Sequence, residues 1–180
     1  VYAAGIAAAP VGEANLDNTP FLIFTVDSLS RRMDPEAFLP LFTEWEADLE
    51  QGLFLLPLEE HGLVYNDVQN PHSPYGFTDT IGKTGTLYME SLLYWRACRM
   101  MERMCKTYGI KNPDRFAKAA ESVERSLSLL FDPAAGAFYA ATKDCHQYDI
   151  WGMAYMLYIG FPCSADEKQA VLSFLEKNYD

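Results

Sequence analysis

Gly85 to Tyr108 reads GTLYMESLLYWRACRMMERMCKTY, and Gly109 follows. The run holds no proline, so a single long helix is predicted, closed by the glycine. Leu87, Tyr88, Leu92, Leu93, Tyr94, Trp95, Ala97, Met100, Met101 and Met104 cover most of its circumference. Arg96, Arg99, Arg103 and Lys106 leave one narrow charged stripe. A helix of that kind must be buried on most sides.

The same alternation extends in both directions. Downstream, Asn112-Pro113 starts a helix predicted over 113–130, with Phe116, Ala119, Ala120, Val123, Leu127 and Leu130 on one face. Asp132 to Gly136 reads as a turn, and Ala137 to Ala141 as a short extended piece. Ile150 to Ile159 is apolar all round and ends at Gly160, whereas 165–178 is one-sided and opens on the capping box Ser164-Ala165-Asp166-Glu167. Upstream, Asn18-Thr19-Pro20 starts a helix over 20–32 that is apolar nearly all round. Asp34-Pro35 starts an amphipathic one over 35–52, with a kink expected at Pro40 and an end at Gly52. Leu53 to about Lys83 is a long loop rich in Gly, Pro, Asn and His, and loops of that length are commonly functional.

The order is therefore buried, amphipathic, three times over. Helical hairpins packed side by side satisfy it, with one row of helices inside another. A closed α/α toroid and an open solenoid both fit, and the unequal spacing of the hairpins disfavours a regular solenoid. The fold class is all-α, in a single domain over 1–180.

The 180 residues carry 14 Lys+Arg against 25 Asp+Glu, a net charge of −11. Nucleic acid and anionic membrane surfaces both demand a positive footprint, so neither is expected as a partner. No apolar run is long enough to span a bilayer. Cys98 and Cys105 lie seven residues apart on one helix, about 10 Å along its axis, too far to bridge. His61, His72 and His146 show no ligand spacing, so no metal is expected, and no phosphate loop or dinucleotide fingerprint calls for a cofactor.

In such a ring all the inner helices start at the same end. The loops leading into them would bring Asp17, Asp79 and Asp149 together with Tyr75, Phe77 and Trp151 in one mouth. Aromatic rings stack on the apolar faces of sugars, and carboxyls supply hydrogen bonds and proton transfer. Each acid also has a plainer reading. Asp79 can close an Asx-turn on Ile81, Asp149 can cap the helix at Ile150, and Asp17 can cap near Pro20.

Three stretches carry a resemblance: Leu16 to Ile23, Tyr75 to Ala97 with its Leu93-Tyr94-Trp95-Arg96-Ala97 run, and Gln147 to Ala154 followed by Tyr158-Ile159-Gly160. Together they resemble about three hairpins of the six-hairpin (α/α)6-toroid glycosidases. The pattern departs from debranching members at Met89, where a Glu is expected. The resemblance implies a carbohydrate substrate and hydrolysis of a glycosidic bond by general acid–base catalysis. Asp79 is then the acid, and Tyr75, Phe77, Asp17, Asp149 and Trp151 line the sugar site. A full ring takes roughly twelve helices and well over 300 residues. The chain is accordingly expected to be about half of a catalytic domain, with the remaining hairpins of its parent as partners and an apolar flank left exposed. A non-catalytic hairpin scaffold that binds a glycan or protein is the alternative. A polysaccharide lyase would need a basic subsite for uronate, which the net charge disfavours.

Overall fold

The computed structural model describes residues 15–73, 82–110 and 112–178. Among them the elements run α1 (Asn18–Ser30), α2 (Pro35–Phe54), β1 (Tyr65–Asn66), β2 (Gly85–Thr86), α3 (Tyr88–Tyr108), α4 (Asp114–Ser126), β3 (Phe131–Asp132), β4 (Ala137–Phe138), α5 (Ile150–Ile159) and α6 (Ala165–Lys177). The fold is all-α. The strands are two-residue antiparallel ladders, Tyr65 opposite Thr86 and Phe131 opposite Phe138.

α3 is the centre. Thirteen of its residues are buried, among them Tyr88, Leu92, Leu93, Tyr94 and Met101. α1 lies along it in the same direction. Arg103 Nε donates to Asp27 Oδ1 at 3.0 Å, and the Tyr108 hydroxyl donates to the Ser30 carbonyl at 3.2 Å, pairing the later turns of both helices. α5 also runs with α3. Tyr88 at the start of α3 donates to Met156 Sδ at 3.1 Å, while Trp95, two turns on, meets Phe161 beyond the end of α5 at 5.0 Å.

The other three helices run the opposite way. Phe38 and Phe42 at the start of α2 pack on Tyr108 at the end of α3, with ring centroids 5.0 and 5.9 Å away. Glu124 late in α4 accepts from Trp95 Nε1 at 2.7 Å and from Arg99. Phe174 late in α6 meets Tyr148, just ahead of α5, at 5.4 Å. α2 and α4 are joined directly by Arg115, which pairs with Glu46 and Glu50. An inner row of parallel helices thus carries an outer row reversed against it.

Several local expectations need correction. Gly52 does not end α2, which continues to Phe54; it stands where α2 crosses α1, and a Cβ there would lie 3.1 Å from Thr19 Oγ1. Pro40, where a kink is expected, lies inside the continuous helix. Asn112 does not cap α4: Pro113 holds the cap position without a side-chain bond, and Asn112 takes a left-handed φ of 67°. The end predicted at 130 is a tight 3-10 turn over 127–130. Asp17 holds the cap position of α1, as its plainer reading expects, but its side chain makes no capping bond. On the charged stripe of α3, Arg99 and Arg103 are occupied by Glu102, Glu124 and Asp27.

α1 and α5 are the least covered of the inner helices. Each flanks α3 on one side and has no further described helix on the other. Phe21, Leu22 and Leu29 of α1 and Ile150, Trp151 and Tyr158 of α5 are therefore exposed.

Candidate functional site

The three inner helices open at one end. Asp17 is the cap of α1, Tyr88 to Glu90 form the first turn of α3, and Asp149 is the cap of α5. Helix N-termini carry partial positive charge, so carboxyls gather there at low cost. The Asp149 side chain accepts from the Gly152 N–H at 2.8 Å, as the capping reading expects. Its second oxygen, Oδ2, is buried and accepts no hydrogen bond. The capping role therefore leaves half of the carboxylate unused.

Glu90 is the group that sequence reasoning missed. It is fully buried, and neither of its oxygens accepts a hydrogen bond. The Lys83 ammonium lies 3.7 Å from Oε1, with its own side chain also buried. Burial pushes the Glu90 carboxyl up from the ordinary 4.5 to about 7, against the pull of Lys83 and of its own backbone N–H, and the charges of Asp149 and Asp17 add to the rise. Asp17, Asp149 and Lys83 thus form one electrostatic cluster around Glu90. At roughly 100° per residue Glu90 falls on the opposite side of α3 from Arg96, Arg99 and Arg103. An isolated acid opposite a basic stripe, in an otherwise apolar turn, was the available signal.

Tyr88 braces the cluster. Its ring stacks on Phe138 at 4.6 Å, and burial, then the charge of Asp149, raises its phenol well above the ordinary value. Gly152 lets the ring come close: a Cβ there would sit 2.6 Å from Tyr88 Cδ1 and 2.9 Å from Asp149 Cγ. Gly to Ala inside a helix ordinarily gains up to about 1 kcal/mol. Here Tyr88 is held between Phe138 and Met156 and has nowhere to go. Gly152→Ala is expected to lose about 1–3 kcal/mol by overpacking, read as a lower urea midpoint at unchanged slope.

Lys83 is set by Asn66. That fully buried amide donates to the carbonyls of His72 (3.0 Å) and Lys83 (2.7 Å) and accepts from His72 N–H at 2.8 Å. The Ser73 carbonyl in turn accepts from Leu16 N–H at 3.1 Å. Ser73 and Lys83, on either side of segment 74–81, are therefore both anchored at the mouth.

Of the expected site residues, Asp17 and Asp149 are brought into one cluster. Trp151 stands in the first turn of α5, 74% exposed. Tyr75, Phe77 and Asp79 lie outside the described residues. Among the described residues no three His, Cys, Asp or Glu side chains gather as metal ligands, and no helix is long and apolar enough to cross a membrane. No protein-family model matches the chain, and no curated protein matches it in sequence.

Proposed function

We propose that the chain is part of an (α/α)6-type glycoside hydrolase that cleaves a glycosidic bond by general acid–base catalysis at the common mouth of α1, α3 and α5. The observation that carries this reading is the coupled cluster of Asp17, Glu90 and Asp149, with Glu90 pushed up to about 7. Carboxyls gathered at one open end of the inner helices, beside a buried acid that keeps its proton up to about pH 7, are a setting suited to acid–base chemistry on a sugar. Asp79 lies on the segment whose two flanks are anchored at this mouth, and it is the proton donor. Asp149 offers its unpartnered oxygen to the sugar, and Trp151, with Tyr75 and Phe77, supplies ring platforms. Glu90, without access to solvent, is a positioning residue that sets the field around the mouth. The exposed residues outside those platforms, Leu22 and Leu29 of α1 and Ile150 of α5, pack against further hairpins, which closes the ring.

The scaffold reading has one observation in its favour. An apolar groove of about 390 Å³ runs between α1 and α2, lined by Leu22, Val26, Leu29, Trp45 and Leu49. Release of reducing ends from neutral oligosaccharides separates the two. Hydrolysis that disappears in the Asp79→Asn/Asp149→Asn double variant supports the hydrolase. Binding without turnover by the folded protein supports the scaffold.

A further inference from the structure

Four guanidinium groups among the described residues are half-buried. Arg99 meets Glu102 and Glu124, Arg103 meets Asp27, and Arg115 meets Glu46 and Glu50. Arg96 is different: among the described residues it meets no carboxylate. Instead it is enclosed by aromatic rings, with Phe24 at 5.0 Å, Tyr155 at 5.7 Å and Tyr158 at 5.9 Å from the guanidinium carbon. NH1 donates to the Tyr155 hydroxyl at 3.0 Å. A guanidinium has five N–H donors, so most of its edge is unclaimed. Cation–π contact fixes the group without neutralising it.

The surroundings extend this point into a surface. Trp151, Tyr155 and Tyr158 recur at i, i+4 and i+7, one stripe on α5 about 10 Å long. Trp151 and Tyr158 are 74% and 79% exposed. On α1, Phe21 and Phe24 form an edge-to-face pair at 5.4 Å. The stripe begins two residues after Asp149 and is continuous with the mouth.

We propose that Arg96 and this aromatic strip form a subsite for a sugar unit carrying a carboxylate, a uronic acid. The inference rests on the hydrolase reading for its sugar, and on Arg96 for its charge. The rings take the apolar sugar faces, and the free edge of Arg96 takes the carboxylate as a bidentate pair. The net charge of −11 does not oppose this, because the acids that meet the neighbouring arginines of the stripe, Asp27, Glu102 and Glu124, are already paired with Arg99 and Arg103.

The test is binding of trigalacturonate and of its carboxyl-reduced, neutral counterpart to the whole chain, followed by tryptophan fluorescence. Trigalacturonate is expected to bind about tenfold or more tightly at low salt, the advantage shrinking as salt rises. Arg96→Gln should bring both probes to the affinity of the neutral one, Arg96→Lys should keep part of the preference, and Trp151→Ala should weaken both alike. Equal affinity of the wild-type chain for the two probes, or no binding of either, overturns the proposal, and that comparison needs no variant to fold. So does a preference that survives Arg96→Gln, or a dimer in sedimentation that Tyr158→Asp dissociates, which would assign the face to a second copy. Preference for trigalacturonate without turnover of any glycoside leaves the subsite standing and removes the hydrolase. Turnover without preference does the reverse.

Discussion

Asp79→Asn is expected to lower kcat by 10²–10⁴-fold, roughly 3–5 kcal/mol, on glycosides whose leaving group is a sugar. Asn keeps the shape and much of the hydrogen bonding of Asp but has no proton to give. A sugar alkoxide leaves poorly unless its oxygen is protonated as the bond breaks. An activated aryl leaving group departs largely unaided, so the same variant should lose little on it. KM should stay near the wild-type value on both, since the ring platforms are untouched. The measurement is kcat on an aryl glycoside and on an oligosaccharide, side by side. Wild-type rates on both would remove Asp79 from the mechanism. Asp149→Asn makes the contrast: Asn caps nearly as well as Asp, so about 1 kcal/mol or less of stability is at stake. A large rate loss there at unchanged stability would move the acid or base to the α5 cap.

The second large effect is on stability against pH and needs no substrate. Glu90 titrates near 4.5 in the unfolded chain and at about 7 in the fold. The folded state therefore holds the proton more tightly. The stabilisation this brings is fully present below pH 4.5 and is lost as pH rises through 7. The shift corresponds to about 3 kcal/mol across that window. Glu90→Gln carries the neutral form at every pH, so the fall between pH 4.5 and 8 should be smaller by that amount in the variant. Urea unfolding at several pH values measures it. Parallel pH profiles for the two proteins would show that Glu90 ionises freely in the fold and would withdraw it from the cluster.

The helices were legible because their signals are local. Ser164 and Glu167 form the reciprocal capping box that their spacing predicts, and Gly109 and Gly160 end α3 and α5 in the left-handed conformation. The shared mouth was legible from a pattern, since helices that alternate between apolar and amphipathic must alternate in layer. What was hidden depended on neighbours distant in sequence. Gly52 reads as a helix end until α1 is placed against it. Arg96, Arg99 and Arg103 look alike on one stripe, yet two find acids on other helices and one finds rings. Glu90 was obscured by the resemblance itself, which directed attention to Met89 for a missing acid when the buried one stands next to it. Its pKa is set by burial and by Lys83, Asp149 and Asp17, and no spacing within one helix encodes that.

The Asn66 clamp has a consequence for how such a protein changes over generations. The amide ties His72 to Lys83 through their backbones, and only Asn66 itself contributes a side chain. The residues between those ties can then be exchanged, lengthened or shortened while the neck stays closed. Loop lengthening costs little, since closure entropy grows only with the logarithm of length. The clamp separates the closing of the neck from the identity of the residues between its ties, so that they can change without reopening the question of how the chain folds.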